Sequence, residues 1–265
     1  MEILETLAIL AVLLGCTLLG RWGRRWLKDH HKTSPTTESV RAIAAIVATI
    51  SGLVLGLLVN SGKTEFDAHA ETYRRYGIAL ADLDRHLRDY GVPATPLRTV
   101  LRTFTAAVIA DQWPDEPHPS GPYPSPVHPV QPGSGETAEY TAMLTDMDDG
   151  IEALSPSGAR QDRLAALLRQ DLRTVQAIRW SLIERAPSDL SPILLGVLVG
   201  WLAALFLIFG LMSPRNRLTA FVLVLSAVSV ASSVYLIIDF DSDIGGPISV
   251  SSRPLRDALW HMDRP

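Results

Sequence analysis

Several residue groups have the types that carry chemistry, so their spacing decides what they are. Ser61-Gly62-Lys63-Thr64 resembles the end of a phosphate-binding loop. The full motif requires a glycine five positions before Gly62, where this chain has Leu57, and a strand where this chain has an apolar helical run. Asp239, Asp241 and Asp243 resemble the opening of a calcium loop, but Ile244 and Val250 stand where glycine and glutamate are required. They are expected to be acids at the aqueous end of a helix. The seven histidines contain no pair at the i, i+4 helical ligand spacing. The single cysteine, Cys16, excludes an intramolecular disulfide and a cysteine-based zinc site. No Gly-x-Ser-x-Gly elbow and no paired carboxylates occur. These residues predict a protein that is not an enzyme and uses no cofactor or metal.

A different pattern is more informative. Ala45, Thr49, Gly52, Gly56 and Asn60 follow at steps of four, three, four and four. That spacing puts them on one helix face, while Ile43, Ile46, Val47, Ile50, Val54 and Leu57 cover the rest. Small residues at such spacing let helices approach closely. A small, uncharged stripe can also line a pore that gates by dewetting. Gly196, Gly200 and Ala204, and separately Ser226, Ser229 and Ser233, make similar short stripes.

The elements that carry these stripes are four nearly charge-free segments, Thr6–Gly20, Ala42–Val59, Pro192–Met212 and Leu218–Ile238. Roughly 20 apolar residues cross a bilayer core, and a soluble buried helix would show a polar stripe. The chain of 265 residues is 47% hydrophobic and 20% charged, with mean hydropathy +0.18 and net charge −4. This excludes an ordinary cytosolic enzyme and a nucleic-acid binder working through bulk positive charge. The first segment competes with a signal peptide or a lipoprotein site at Leu13-Leu14-Gly15-Cys16. It begins with Met1-Glu2 rather than with basic residues, so a membrane anchor is expected. Arg21, Arg24, Arg25, Lys28, Lys32 and Arg41 in one short loop, with Arg215 and Arg217 in another, place both loops on the cytoplasmic side of a cell membrane. The region between the second and third segments is then extracytoplasmic.

That region, residues 60–191, holds 13 Lys/Arg against 19 Asp/Glu. Phe66, Tyr73, Tyr76, Leu80, Leu83, Leu87 and Tyr90 mark a helix face that continues the second apolar segment, ended by Gly91 and Pro93. Pro96 opens a helix with Leu97, Leu101, Phe104 and Val108, ended at Trp113-Pro114. Residues 113–132 contain eight prolines and are expected to form an extended surface loop. A short helix near 136–153 and a rod over 158–186 complete an acidic helical bundle. The predicted organisation is all-α: a first transmembrane pair with its basic loop (1–59), the insert (60–191), a second transmembrane pair (192–238) and a C-terminal tail (239–265).

This arrangement resembles the bacterial and plant bestrophin-like membrane proteins, a family of four transmembrane helices. Glu71 before Tyr73-Arg74 matches an acid followed by a Tyr-Arg pair. Gln112-Trp113-Pro114 stands where the family has acid-Trp-Pro. Asp241, Gly246 and Pro247, followed by Ile248-Ser249-Val250-Ser251, match a tail of aspartate, glycine and an apolar run. Gln112 replaces the acid, and Asp243-Ile244 replaces a Pro-Phe pair. The resemblance implies kinship with bestrophins, pentameric anion channels whose second helix lines the pore and whose equivalent helical region is cytoplasmic. The first expectation is therefore a homo-oligomeric pore in the lipid bilayer, with the stripe from Ala45 to Asn60 facing the axis. The competing expectation is a membrane-anchored binding or sensory module whose Pro-rich loop meets a protein partner. An intramembrane enzyme is disfavoured, because no charged residue lies within the second to fourth segments.

Overall fold

The computed structural model describes residues 2–26, 34–123, 138–183, 192–214, 216–241 and 249–264, all of them helical or in turns and connections. Eight α-helices are formed: α1 (Glu2–Gly23), α2 (Ser34–Tyr90), α3 (Thr95–Gln112), α4 (Ala138–Glu152), α5 (Ala159–Ile183), α6 (Pro192–Met212), α7 (Arg217–Asp241) and α8 (Arg253–Met262). The protein is an all-α membrane protein. Four helices are long and apolar enough to cross a bilayer, within Leu4–Trp26, Pro35–Tyr90, Ile193–Met212 and Arg217–Phe240. The chain forms two compact units, Met1–Glu65 with Ser188–Ser242, and Phe66–Pro187 with Asp243–Pro265.

In the first unit, α1 packs along α6 and α7. Its apolar core includes Leu13, Leu58, Leu198, Leu202, Phe206 and Ile237. The α1–α6 contact is backbone on backbone. A Cβ on Gly20 would lie 2.1 Å from the Leu207 carbonyl oxygen, and one on Gly210 would lie 2.2 Å from that of Thr17. These two glycines, rather than Gly196 and Gly200, make the close approach; a Cβ on either of the latter would meet nothing within 4 Å. The Thr17 hydroxyl is satisfied within its own helix by the Leu13 carbonyl at 2.9 Å, and Arg24 donates to the Ser213 carbonyl. Asp239, expected at an aqueous helix end, is fully buried and accepts a hydrogen bond from the Tyr235 hydroxyl at 3.2 Å. A partner one helical turn away makes that burial tolerable.

In the second unit the heptad face of α2 is buried from Tyr73 to Tyr90, against Leu97, Leu101 and Phe104 of α3, Leu144, Met147 and Ile151 of α4, and Leu168, Leu172 and Val175 of α5. Each fully buried leucine here contributes about 1.5–3 kcal/mol of burial. Between the apolar segment and the heptad face Gly62 is the one breaker, and the helix continues without interruption for 57 residues. It stops at Gly91, whose φ of 99° is a conformation that side chains disfavour. The sequence reading leaves residues 239–265 without a helix, but α8 forms there. Its signal is short yet present: Pro254 in the first turn, then Leu255, Ala258, Leu259 and Met262 at helical spacing, all four buried.

Candidate functional site: a small-residue stripe and a clasped tail

All five stripe residues lie on α2, on a face exposed within the chain. The same helix buries Ala44, Ser51 and Leu58 on another face. A Cβ on Gly52 or Gly56 would meet nothing within 4 Å, so these glycines do not serve packing inside the chain. Ile46, Ile50, Leu53 and Leu57 flank them and are likewise exposed. The Thr49 hydroxyl bonds back to the Ala45 carbonyl at 2.8 Å, and Thr64 does the same to Asn60 at 2.8 Å. The stripe therefore presents almost no unsatisfied polar group until Asn60, and it bears no charge.

A second constellation brings one family-motif residue, Trp113, against the C-terminal tail. The tryptophan that ends α3, Trp113, is 4% exposed and donates its indole N–H to the Val250 carbonyl at 2.7 Å. Tyr73 meets the indole edge-on, with centroids 5.1 Å apart. Three residues on, Glu116 accepts from Arg256 Nε at 3.0 Å and from the Ser252 hydroxyl. At the far end of α8, the buried Asp84 receives Arg98 Nε and Arg88, each at 2.8 Å. The same two guanidiniums also donate to the last carbonyls of α8, Arg98 to Met262 at 3.2 Å and Arg88 to His261 at 2.9 Å. Cations at a helix C-terminus meet both its unpaired carbonyls and its dipole. Gly77 completes the seat, because a Cβ there would lie 2.5 Å from the Pro254 carbonyl oxygen.

The other motif residues lie elsewhere. Glu71 is bound by Arg74 at 2.7 Å and Arg75 at 3.1 Å, and hydrogen bonds from these guanidiniums hold its carboxyl down at about 2. Pro114 follows Trp113 in the turn that leaves α3. Asp241 closes α7, while Gly246 and Pro247 lie outside the described residues, as do Asp243 and Ile244. Of the Pro-rich stretch, residues 124–132 are also outside them; the described part, 113–123, is engaged with its own unit through Trp113, Glu116 and the Ser120 carbonyl, which accepts from Arg102. The sequence reading missed Asp84, Arg88, Arg98, Glu116, Ser252 and Arg256. Asp84–Arg88 and Ser252–Arg256 have helical i, i+4 spacing, but nothing in the spacing announces the contacts of Arg88, Arg98 and Glu116 with α8, which span more than a hundred residues.

The pairing of His86 Nδ1 with Asp171 at 2.5 Å joins α2 to α5 in the same unit. Burial raises the Tyr76 and Tyr140 hydroxyls above the ordinary tyrosine range and pushes Asp111 upward. The Asp111 charge adds to the rise at Tyr140, and Arg179 opposes it at both tyrosines. Among the described residues, no three His, Cys, Asp or Glu side chains converge as a metal site.

A family model described as the Bestrophin-like domain matches residues 11–255. The fold is similar to a crystal structure of a bacterial bestrophin homolog from Klebsiella pneumoniae, a point variant, with TM-score 0.68, 13% identity, and coverage of 97% of each chain. A second variant of the Klebsiella pneumoniae homolog superposes with TM-score 0.66 at 15% identity, covering 98% of this chain and 100% of that one. A crystal structure described only as a membrane protein gives 0.68 at 12% identity, covering 97% and 96%. Among curated proteins, none matches in sequence.

Proposed function

Since the chain belongs to the Bestrophin-like family, we propose that it assembles with copies of itself into an anion channel in the cell membrane, with Ala45, Thr49, Gly52, Gly56 and Asn60 of α2 facing the axis. One observation carries this reading. The stripe is small, uncharged and exposed, and a Cβ added to either of its glycines would meet nothing within 4 Å. A lipid-facing helix surface gains nothing from glycine, whereas a narrow axis needs it. The bonding of Thr49 back to its own helix leaves an apolar wall that water wets poorly, which suits a gated constriction. At the end of the stripe, Asn60 offers a side-chain amide donor to an anion leaving that constriction.

The test is chloride flux into liposomes containing the full chain. Wild type is expected to conduct, and Gly52→Leu to lose most of the flux while its unfolding temperature in detergent stays close to wild type, because the added side chain meets empty space within the chain. Absence of flux for wild type under varied pH and calcium, or a monomer in native membranes, would sink the reading. The proposed sidedness, with the insert outside the cytoplasm, is supported by the basic short loops.

A further inference from the structure

Several charged side chains of the second unit pair within it: Glu71 with Arg74 and Arg75, Asp82 with Arg85, Asp84 with Arg88 and Arg98, Arg102 with Asp263, and Arg256 with Glu116. Two helices break this pattern with opposite signs. Helix α4 holds Glu139, Asp146, Asp148, Asp149 and Glu152 and no basic residue. All five acids are exposed, and none has an ion pair among the described residues. Helix α5 holds five arginines and two aspartates. Of the aspartates, Asp171 is taken up by His86. Arg169 and Arg173, one turn apart, carry no ion pair among the described residues and share an open face of α5 with Gln170, Thr174 and Ile178. Trp180, at 48% exposure, stands two turns from Arg173 on the same side of the helix. Exposed tryptophan beside arginine is the composition of an interface centre, not of a solvated surface.

We propose that the Arg169–Arg173–Trp180 face of α5 docks the acidic face of α4 from a second copy of this chain. The proposal rests on the oligomeric reading above and names the contact that builds the ring. Each chain carries both faces on different helices, so the contact is head-to-tail, the type that closes into a ring about an axis. Complementary charge selects the register, and the half-exposed indole supplies the apolar contact. An anionic lipid headgroup on the arginines would leave the five unpaired acids of α4 without a role.

The experiment uses the full chain in native nanodiscs, with oligomer mass read against salt. Arg169→Glu with Arg173→Glu, and separately Asp146→Lys with Asp149→Lys, are expected to weaken assembly about tenfold. Combining all four changes restores complementarity and is expected to return assembly to within about threefold of wild type. Loss in the combined variant equal to the sum of the two, or an oligomer indifferent to every reversal, overturns the docking. So does a loss confined to the arginine variant and matched by lost binding to vesicles of anionic lipid. As a second measurement, Asp149→Cys with Arg173→Cys in a Cys16→Ser background should form cross-links between chains with a short bis-maleimide; links within one chain only would count against it. An oligomer that assembles through this contact yet passes no chloride removes the channel reading and leaves the docking intact. A wild-type monomer removes both.

Discussion

Trp113 shows how much a single side chain can hold. Its indole N–H is the donor for the Val250 carbonyl, and its ring fills space beside Tyr73. Trp113→Phe keeps most of the ring and deletes the donor, leaving a carbonyl unsatisfied; this costs about 1–3 kcal/mol. Thermal unfolding of the full chain in detergent measures it, and an unchanged midpoint would show that water replaces the indole. Glu71 makes the opposite case. Its carboxyl is held at about 2, against an ordinary 4.5, mainly by hydrogen bonds from Arg74 and then Arg75. A depressed carboxyl pKa stabilises the fold above the unfolded value and loses that contribution as pH falls from 4.5 towards 2. The stability gap between wild type and Glu71→Gln should be full at neutral pH, shrink through that window and vanish at its lower end. It should also be small throughout, because the arginines are well exposed. A gap constant across the window would refute the ion pair as its source. As residues, Trp113 and Glu71 were both legible in the sequence through the family resemblance. What they do was not, because Val250 and Arg74 lie 137 and three positions away, and only the near one can be read from spacing.

At the scale of elements, periodicity was enough for α2, α3 and α5. Their buried faces, such as Leu80, Leu83 and Leu87 or Leu168, Leu172 and Val175, repeat over many turns. Helix α8 escaped because its 10 residues offer a single apolar cluster, and its fixing partners come from α2 and α3. The role of the glycines in the membrane helices is undecided by spacing for a related reason. A helical small-residue repeat says that something approaches closely, not whether that is a helix of the same chain. The structure divides them: Gly20 and Gly210 touch backbone, whereas Gly52 and Gly56 face open space. Gly20→Ala should therefore force α1 off α6 and cost several kcal/mol, as overpacking does at about 1–3 kcal/mol or more where no side chain can yield. Gly52→Ala should leave the fold intact or raise its stability by roughly 0.5–1 kcal/mol through lower backbone entropy. Comparing thermal midpoints of the two variants checks this directly. Equal destabilisation would mean that the α2 stripe packs within the chain after all.

At the scale of the whole molecule, four apolar segments and an inserted bundle were readable because hydropathy and charge are segregated along the chain. Which side the bundle faces is a separate physical question. Six cations from the last turn of α1 to the apolar part of α2, and Arg215 and Arg217 between Met212 and the start of α7, lie in connections short enough for the positive-inside bias to act. The acids that dominate residues 60–191 contribute little to that bias, as does any long translocated domain. Loop charge argues for the bundle outside, whereas the resemblance to bestrophins argues for the cytoplasm. Single cysteines at Ser157, an exposed position between α4 and α5, and at Asn216, between α6 and α7, separate the two in a Cys16→Ser background. On intact cells an impermeant maleimide should label Ser157→Cys and spare Asn216→Cys until the membrane is opened. The reverse pattern would mean that the eight loop cations do not set orientation.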